Sequence, residues 1–571
     1  MQNHKVYEIS EIKNFRELLN KTVNKYPDNI AYKFKKDPKD TKVNEIKYKD
    51  FKRNIEELST ALIDMGLENK KIALISENRY EWCTSYLSIT TSNMVVVPLD
   101  KALPEKELES LIVRSEVEAV IFEEKYKEIF KKVKENKKSC LNYYICMDNG
   151  ENDIIDYNEL LERGKKLLEN GDKRYENMRV DENKMSVILF TSGTTSQAKA
   201  VMLSQYNICE NVRAIASHVK LYPTDILLSF LPLHHTFECT ITFLYGLYFG
   251  VTVAFCDGLR YIAQNLKEYK ITVFVAVPLV LENMYKKLQK GIEESGKKDL
   301  LDKIKKVSNI LLKYKIDLRR VLFKSVLKQL DEHLRVVLYG AAPMDPKTII
   351  GYNELGIALV QGYGLTETSP VISTETDKEK RPGSVGIPLY NIKIKIENPN
   401  DEGIGEIVVK GPSVMLGYYK NEEETKKVLK DGWFYTGDYG YLDKDEFLYV
   451  TGRKKDIIVL QNGKNVYPQE VEFLINKIPY VKESIVYQRG QDQTDTMLCA
   501  KIVYDKELIE ETLGKKSEEE YKEIIWKEIK EINKTIPGYK HVKNITITTK
   551  PLIKTTTQKV KRFEEVKQKG Q

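Results

Sequence analysis

Short runs of apolar and β-branched residues recur along most of the chain, and segments with helical periodicity separate them. The runs include KIALIS, MVVVPLD, EAVIF, SVILF, ILLSFLPL, VTVAF, ITVFVAVP and LRVVLYG. Such runs are typical of strands that are buried on both faces of a parallel sheet. Strands that alternate with amphipathic helices predict a large α/β domain built from doubly wound sheets.

The pattern changes after about residue 385. The segments NIKIKIENP, GEIVVKG and EFLYVTG alternate apolar and polar residues at period two, which predicts a small antiparallel β subdomain. A shorter α+β stretch follows, with helices such as SEEEYKEIIWKEIKEINKTI. We therefore predict an N-terminal domain over residues 1–452 and a smaller C-terminal domain over residues 453–571.

Composition and charge narrow the class of protein. Lys and Arg number 91 against 84 Asp and Glu in 571 residues, a net charge of +7 that does not indicate nucleic-acid binding. The seven cysteines are scattered without a C-x-x-C pair, which favours neither a disulfide framework nor a zinc site. The N-terminus lacks an apolar signal segment, and the most apolar stretch, residues 241–255, is too short to span a bilayer. These features predict a cytoplasmic protein.

One segment is strongly basic. Residues 285–330 contain fourteen Lys and Arg against five Asp and Glu. Two interpretations are open: a solvated pair of helices that covers the sheet, or a basic amphipathic surface that contacts a membrane peripherally.

The segment FTSGTTSQAKAV is a candidate phosphate loop. It supplies backbone N–H groups at Gly193, a mobile charge at Lys199, and hydroxyls from Thr191, Ser192, Thr194, Thr195 and Ser196. The segment lacks the G-x-x-x-x-G-K-[ST] pattern of a P-loop. Taken alone, a cluster of Ser, Thr and Gly is usually an ordinary loop.

Two further segments carry candidate nucleotide ligands. In QGYGLTE, Tyr363 offers a flat face for a base, Thr366 a hydroxyl, and Glu367 an oxygen ligand for Mg²⁺. In WFYTGD, Asp438 could accept hydrogen bonds from two ribose hydroxyls, and Arg453 follows in GRKKDII. In isolation Tyr363 could belong to the core, and a T-G-D sequence is a common turn.

Together with LPLHHTFE, LYGAAP, GEIVVKG and KTTTQKVKR, these segments occur in the order found in one family. From about residue 20 to residue 562 the chain resembles the AMP-forming acyl-CoA synthetases, a superfamily that includes firefly luciferase and the adenylation domains of peptide synthetases. The resemblance implies that a carboxylate attacks the α-phosphorus of ATP, pyrophosphate leaves, and coenzyme A accepts the acyl group. ATP, Mg²⁺ and coenzyme A are the implied cofactors and co-substrate.

The resemblance also implies roles for single residues. Glu367 is the implied metal ligand, and Lys559, His235, Thr366 and Glu367 are the implied catalytic residues. His235 could instead be a structural histidine, and its neighbour His234 is the less favoured of the pair. ATP and AMP contacts are implied for Thr191, Ser192, Gly193, Thr194, Thr195, Lys199, Gly340, Ala341, Ala342, Tyr363, Thr366, Asp438 and Arg453.

The C-terminal domain is implied to be mobile. Lys455 matches the hinge about which it turns, and Gly463 matches a glycine that lets the pantetheine arm of coenzyme A pass. Lys559 matches the lysine that this domain delivers for adenylation. Gln558 stands where the family has a glycine, and Ile553 stands where it has a proline; both bear on how Lys559 is positioned.

The branch most similar to this chain is that of the bacterial long-chain fatty acid–CoA ligases, on the segments SENRYEWCTSYLS and LPLHHTFE. The apolar helix predicted over FECTITFLYGLYFG would form a wall of the acyl pocket. Ligases for aryl or other acids, ligases that load a carrier protein, and acyl-adenylate ligases that stop short of coenzyme A remain open. A degenerate acyl-adenylate or lipid-binding module is a further alternative, although the intact set of candidate residues counts against it. The acyl chain length and the oligomeric state are left open.

Overall fold

The computed structural model describes residues 6–191, 198–296, 298–460, 465–489, 497–554 and 560–567. They divide between two compact units. The larger takes in the described residues of Met1–Thr191, Ala198–Lys393 and Val409–Phe434. The smaller takes in those of Ile394–Val408 and Tyr435–Gln571.

Twenty α-helices lie in the described part of the chain. They are α1 (Phe15–Lys25), α2 (Tyr48–Asp64), α3 (Tyr80–Thr90), α4 (Glu105–Ser115), α5 (Lys127–Glu135), α6 (Tyr157–Glu169), α7 (Arg174–Asn177), α8 (Gln205–Ala216), α9 (Tyr245–Phe249), α10 (Ile262–Glu268), α11 (Pro278–Glu294), α12 (Lys298–Lys313), α13 (Arg319–Leu322), α14 (Lys324–Leu330), α15 (Pro346–Glu354), α16 (Glu422–Val428), α17 (Pro468–Ile475), α18 (Lys506–Leu513), α19 (Glu518–Lys534) and α20 (Arg562–Lys567). A π-helix occupies Glu238–Leu244, and short 3₁₀ turns occupy Glu124–Tyr126, Leu259–Tyr261, Thr366–Thr368, Lys454–Asp456 and Gly538–Lys540.

The strands are β1 (Ile30–Phe34), β2 (Asn44–Lys47), β3 (Lys71–Ile75), β4 (Val95–Pro98), β5 (Ala119–Phe122), β6 (Tyr143–Cys146), β7 (Ile154–Asp156), β8 (Met185–Thr191), β9 (Lys199–Ser204), β10 (Ile226–Ser229), β11 (Thr252–Phe255), β12 (Val273–Ala276), β13 (Val336–Tyr339), β14 (Ala358–Gly364), β15 (Val371–Thr374), β16 (Ile387–Pro388), β17 (Lys393–Glu397), β18 (Gly405–Lys410), β19 (Gly417–Tyr418), β20 (Leu429–Lys430), β21 (Trp433–Leu442), β22 (Leu448–Arg453), β23 (Ile458–Val459), β24 (Asn465–Val466), β25 (Val481–Arg489), β26 (Met497–Tyr504) and β27 (Asn544–Thr548).

A nine-stranded sheet has the order β16-β15-β14-β13-β12-β10-β11-β1-β2. Strands β10 to β14 pair in parallel, and each consecutive pair is joined by a helical crossover. Their inward side chains, such as Leu228, Phe274, Val337 and Leu359, pack in one core cluster with the helices that follow them. Loops that leave the carboxyl ends of such strands are the usual place for a ligand.

An eight-stranded sheet has the order β19-β9-β8-β4-β3-β5-β6-β7. Strands β3 to β8 pair in parallel, whereas β9 returns antiparallel beside β8. Residues 192–197, the middle of the predicted phosphate loop between β8 and β9, lie outside the described residues.

The remaining sheets are small. A five-stranded sheet has the order β17-β18-β21-β20, with β22 paired antiparallel to β21. Near the C-terminus, β25, β26 and β27 form a three-stranded sheet, and α17 and α19 pack their buried residues Val471, Ile475 and Ile525 in the same core cluster as Ala500 of β26.

The architecture agrees with the predicted α/β, antiparallel and α+β parts. Each quoted apolar run forms its predicted strand, because strands buried on both faces need continuous apolar sequence. The segment after His235 differs from the regular helix that was predicted, since it begins as a π-helix and only becomes α-helical at Tyr245. Among the described residues, no helix has the length and apolar character needed to cross a membrane.

Candidate active site

The two ends of the predicted phosphate loop face each other across the β8–β9 hairpin. Thr191 is paired with Lys199, and its hydroxyl donates to the Lys199 carbonyl oxygen at 3.4 Å. The Lys199 ammonium lies 2.6 Å from a carboxylate oxygen of Glu424 and 4.8 Å from the ring centre of Tyr418. The candidates Ser192, Gly193, Thr194 and Thr195 lie outside the described residues.

The predicted adenine site lies at the ends of two neighbouring strands. Gly340 follows β13, and a Cβ there would lie 2.7 Å from the Gly362 carbonyl oxygen of β14, so only glycine allows the strand ends to approach this closely. Ala341 has a φ of 71°, and residues 341–343 are exposed. Tyr363 is half-buried and stands opposite Ser373 of β15. The structure therefore brings the 340–342 turn beside the strand that carries Tyr363.

The next turn holds Thr366 and Glu367. The Thr236 hydroxyl donates to the Thr366 hydroxyl oxygen at 3.2 Å. The Tyr418 hydroxyl donates to a carboxylate oxygen of Glu367 at 3.0 Å, and the Met415 N–H donates to the Glu367 carbonyl oxygen at 2.9 Å. Glu367 thus offers one half-buried carboxylate. This is a suitable ligand set for magnesium, which usually binds one or two carboxylates together with substrate phosphates and water.

The two adjacent histidines have different surroundings. A ring nitrogen of His234 lies 3.5 Å from an Asp100 carboxylate oxygen. Burial lowers the pKa of His234 to about 4, and Asp100 offsets only part of this effect, so the ring is neutral at pH 7. His235 is half-buried, and its carbonyl oxygen accepts a hydrogen bond from the Cys239 N–H at 3.0 Å.

A narrow cavity lies beside His234. It is lined by Tyr86, Pro98, Val187, Leu189, Ile208, Leu233, His234, Thr236, Cys239 and Thr240. Most of these side chains are apolar, and Cys239 and Thr240 belong to the π-helix after the histidine pair. Of the two histidines, His234 is the one among the lining residues, although the sequence favoured His235. Thr236 lies in the cavity wall and also contacts Thr366, so the cavity reaches the candidate nucleotide site.

The smaller unit contains the predicted ribose pair. Asp438 and Arg453 stand opposite each other on β21 and β22, and the guanidinium Nε lies 3.0 Å from a carboxylate oxygen. Asp438 is almost fully buried, and its N–H donates to the Thr436 hydroxyl oxygen at 3.0 Å. Lys455 is exposed in the 3₁₀ turn that follows β22. Gly463, Gln558 and Lys559 lie outside the described residues.

Comparisons with known proteins give the family. Residues 19–419 match the model of the AMP-binding enzymes, and residues 455–568 match the model of the AMP-binding enzyme C-terminal domain. The first match alone covers more than half of the chain. The chain belongs to the AMP-binding enzyme family. The predicted superfamily is therefore confirmed.

Curated relatives of this AMP-binding enzyme are similar at moderate identity. A chloroplastic long-chain-fatty-acid–acyl-carrier-protein ligase of Arabidopsis thaliana is 27% identical, over 91% of this chain and 80% of the relative. Long-chain-fatty-acid–CoA ligase 6 of Mus musculus is 29% identical, over 86% of this chain and 74% of the relative.

Solved structures confirm the fold class. An anthranilate CoA ligase in complex with anthranoyl-AMP superposes with a TM-score of 0.77 at 18% identity, covering 100% of this chain and 99% of the other. An o-succinylbenzoate CoA synthetase of Bacillus subtilis in complex with ATP and magnesium gives 0.71 at 21% identity, covering 96% and 99%.

The structure accounts for one departure of this AMP-binding enzyme from its family. The Ile553 N–H donates to a Glu565 carboxylate oxygen at 2.6 Å, a bond that the family proline could not make. Glu565 is buried and also accepts from Lys501 at 2.6 Å. The segment that leads toward Lys559 is therefore held by a carboxylate instead of by a proline ring.

Sequence reasoning missed Asn78 and Ser229, two residues that hold the loop with the two histidines. The Asn78 amide donates to the Leu231 carbonyl oxygen at 2.6 Å and accepts from the Leu233 N–H at 3.1 Å. It also donates to the Ser229 hydroxyl oxygen, and Ser229 donates to Glu238 at 2.7 Å. Asn78 lies in the SENRYEW segment, which served only as a signal of the branch.

Glu238 is fully buried at the start of the π-helix, where Thr242 donates to its second oxygen at 2.9 Å. Burial raises the pKa of Glu238 from 4.5 to about 8. The folded protein therefore holds a proton between these pH values that the unfolded chain releases. The resulting stability is fully present below pH 4.5 and is lost as the pH rises through 8.

We expect the Glu238 contribution to lower the midpoint of thermal unfolding of the wild type as the pH rises from 5 to 8. Glu238→Gln should make this fall smaller, because the glutamine stays neutral throughout the range. Glu162→Gln, at an exposed site, is the matched control and should retain the wild-type dependence. Parallel curves for all three proteins would show that Glu238 is ionised in the folded state.

Proposed function

We propose that this AMP-binding enzyme is a cytoplasmic ligase that converts a medium- or long-chain fatty acid to its acyl adenylate and then to acyl-CoA. The observation that carries the proposal is the contact between Thr366 and Thr236. Thr366 belongs to the candidate nucleotide turn, and Thr236 lines the mostly apolar cavity. The cavity measures only about 10 Å³, so a fatty acid would have to part its wall side chains, and it would then present its carboxylate beside the α-phosphate of ATP.

The first step forms a bond between a carboxylate oxygen and the α-phosphorus, and it breaks the bond from that phosphorus to the β-phosphate bridge. Lys199 and the loop hydroxyls would hold the departing pyrophosphate, while Thr366 would orient the α-phosphate. Magnesium, held by Glu367, would neutralise charge on the phosphates. In the second step the coenzyme A thiolate attacks the acyl carbon, and AMP leaves.

Roles for the ribose pair and for the C-terminal domain complete the proposal. Asp438 and Arg453 would accept and donate hydrogen bonds at the ribose hydroxyls, in keeping with their pairing across β21 and β22. We propose that residues 453–571 form the mobile domain, that Lys455 is its hinge, and that Gly463 lines the passage of coenzyme A. His235 is proposed to act near the acyl carboxylate, and His234, which lines the cavity, is the second candidate.

We expect ATP and a fatty acid to yield AMP and pyrophosphate, with turnover rising from short to medium or long chains. Once the wall side chains have moved apart to admit the acid, a longer chain buries more apolar surface, at about 0.8 kcal/mol for each methylene group. A chain-length series with MgATP and coenzyme A, scored by AMP release and thioester mass, measures this. ADP as the product would refute the adenylation chemistry, and fastest turnover with acetate would refute only the substrate class.

The acceptor has a second candidate, because one relative is named as an acyl-carrier-protein ligase. Both acceptors present a phosphopantetheine thiol, so the adenylation site does not distinguish them. Preformed acyl adenylate can be offered in parallel to coenzyme A and to a carrier protein that bears a free phosphopantetheine thiol. The acceptor on which the thioester forms would decide between them. We favour coenzyme A because most of the curated relatives act on it by name.

We also propose that the basic segment 285–330 contacts a membrane surface. In α12, Leu300, Val307 and Ile310 are 56%, 54% and 55% exposed, and Tyr314 just beyond the helix is 74% exposed. Their spacing places them on one face of the helix with Lys303. The opposite face buries Leu301 and Ser308. An apolar face flanked by lysines suits an anionic lipid surface, from which fatty acid could be taken.

Binding to vesicles should require both parts of this face. Replacing Lys303, Lys306 and Lys313 by glutamine should weaken binding to phosphatidylserine-containing vesicles, by roughly 1 kcal/mol for each lysine. Val307→Ser with Ile310→Ser should weaken it through lost apolar contact, whereas Leu508→Ser on exposed α18 should not. Co-sedimentation measures this, and equal binding by all variants would refute the surface.

A further inference from the structure

The charged groups around Lys199 form an ion-pair network that the proposed chemistry does not by itself require. Glu424 of α16 accepts from Lys199 at one carboxylate oxygen, at 2.6 Å. It accepts from Lys427 at the other oxygen, at 2.7 Å. Both lysines therefore share one carboxylate, which is 30% exposed.

Local structure holds Glu424 in place. Asn421 caps the helix by accepting from the Glu424 N–H at 3.1 Å, and Thr425 accepts from the Tyr418 N–H at 2.9 Å. The preceding strand β19 pairs with β9, so that Tyr418 stands opposite Val201, two residues from Lys199. The helix is thus fixed to the strand that carries the lysine.

Tyr418 connects this ion-pair network to the candidate metal ligand, Glu367. Its buried ring lies under the Lys199 ammonium, and its hydroxyl donates to Glu367. Lys199 consequently has two favourable neighbours in the structure, a carboxylate and an aromatic face. A lysine held in this way must exchange its carboxylate partner when it meets a triphosphate, because one ammonium cannot be fully paired with both.

We propose that Glu424 is the resting partner of Lys199, and that the lysine leaves it for the β- and γ-phosphates of ATP while Lys427 stays to neutralise the carboxylate. Without Lys427, departure of Lys199 would leave Glu424 unpaired beside a polyanion. The shared carboxylate therefore lowers the cost of the exchange and makes Glu424 a positioning residue that sets ATP affinity. The lysines beside Glu424 lower its pKa to about 2, so it is charged at any working pH. This inference rests on the proposed role of Lys199.

The test is equilibrium binding of magnesium α,β-methylene-ATP, which cannot transfer its adenylyl group to an acid, with AMP as the second ligand. Glu424→Gln should bind the ATP analogue up to about fivefold more tightly, the size expected for loss of one competing half-exposed ion pair. AMP lacks the β- and γ-phosphates, so its affinity should be unchanged.

Two further variants make the test specific. Glu423→Gln removes the same charge from the same helix, and Glu423 contacts Lys427 at 2.8 Å, so the analogue affinity should change less than in Glu424→Gln. Lys427→Met should act in the opposite direction and weaken analogue binding, because Glu424 then retains Lys199 more strongly. Adding Glu424→Gln to Lys427→Met should cancel that loss.

The outcomes separate this inference from the proposed function. Analogue binding that is unchanged or weakened by Glu424→Gln would overturn the exchange while leaving an ATP-binding enzyme. Equal effects of Glu424→Gln and Glu423→Gln would reduce it to a general effect of charge and would also overturn it. A wild-type protein that binds neither nucleotide would refute the proposed function itself.

Discussion

Glu367→Gln should lose adenylation by about a hundredfold or more while the protein remains folded. The substitution keeps an oxygen that can accept from the Tyr418 hydroxyl but removes the negative charge that a magnesium ion requires. Without the metal, charge on the departing pyrophosphate is less compensated in the transition state. The measurement is pyrophosphate release from MgATP and fatty acid over a range of Mg²⁺ concentrations.

Two control variants separate loss of the metal ligand from other effects of the substitution. Tyr418→Phe retains the carboxylate and removes only its hydroxyl partner, so the Mg²⁺ dependence should shift modestly and the maximal rate should survive. Glu422→Gln, at a 91% exposed site on α16, should behave as the wild type. If Glu367→Gln retains the full rate at saturating Mg²⁺, the glutamate is not a metal ligand.

Eight strands of the two large sheets could be predicted, because strands that are buried on both faces need continuous apolar sequence. A strand such as Val273–Ala276 is buried along its whole length, so it needs four consecutive apolar residues. The antiparallel strand Lys393–Glu397 is partly exposed and alternates instead. In both cases the order of apolar and polar residues follows from which faces of the strand are exposed to water.

The partners of the candidate residues could not be predicted in the same way. The sequence marks Lys199 as a phosphate ligand but contains nothing that joins it to Glu424, which approaches only through the pairing of β19 with β9. Likewise, nothing in the sequence joins His234, which follows β10, to Asp100, which follows β4. Such contacts depend on tertiary packing, whereas the candidate residues themselves follow from short local motifs.

The π-helix after His235 shows a different limit. Its apolar residues predicted a regular helix, but the buried carboxyl of Glu238 takes hydroxyl donors from Ser229 and Thr242. A carboxyl group in an apolar setting needs such partners, and π-helical turns are often found at functional sites. Hydrophobic periodicity does not reveal this distinction, because all seven residues of the π-helix are buried and no exposed face marks its period.

Lys559→Ala should separate the two half-reactions. The lysine lies outside the described residues, so the expectation rests on the resemblance, in which its ammonium meets the acyl carboxylate and the α-phosphate during adenylation. Removing a charge that acts mainly on the transition state should cost several kcal/mol, or roughly a thousandfold in rate. Transfer from preformed acyl adenylate to coenzyme A should continue at nearly the wild-type rate, because that step needs no adenylating lysine.

The experiment compares acyl-adenylate formation from acid and ATP with thioester formation from presynthesised adenylate and coenzyme A. Lys561→Ala is the matched control, since the Lys561 side chain is exposed and its ammonium lies 3.1 Å from the half-exposed carboxylate of Glu564. It should leave both half-reactions intact. Glu565→Gln is a third variant with a smaller expected effect. It should weaken the hydrogen bond that holds Ile553, in the segment before Lys559, and it should slow adenylation alone. Equal loss of both half-reactions in Lys559→Ala would mean that the lysine supports the fold of its domain and does not act in adenylation.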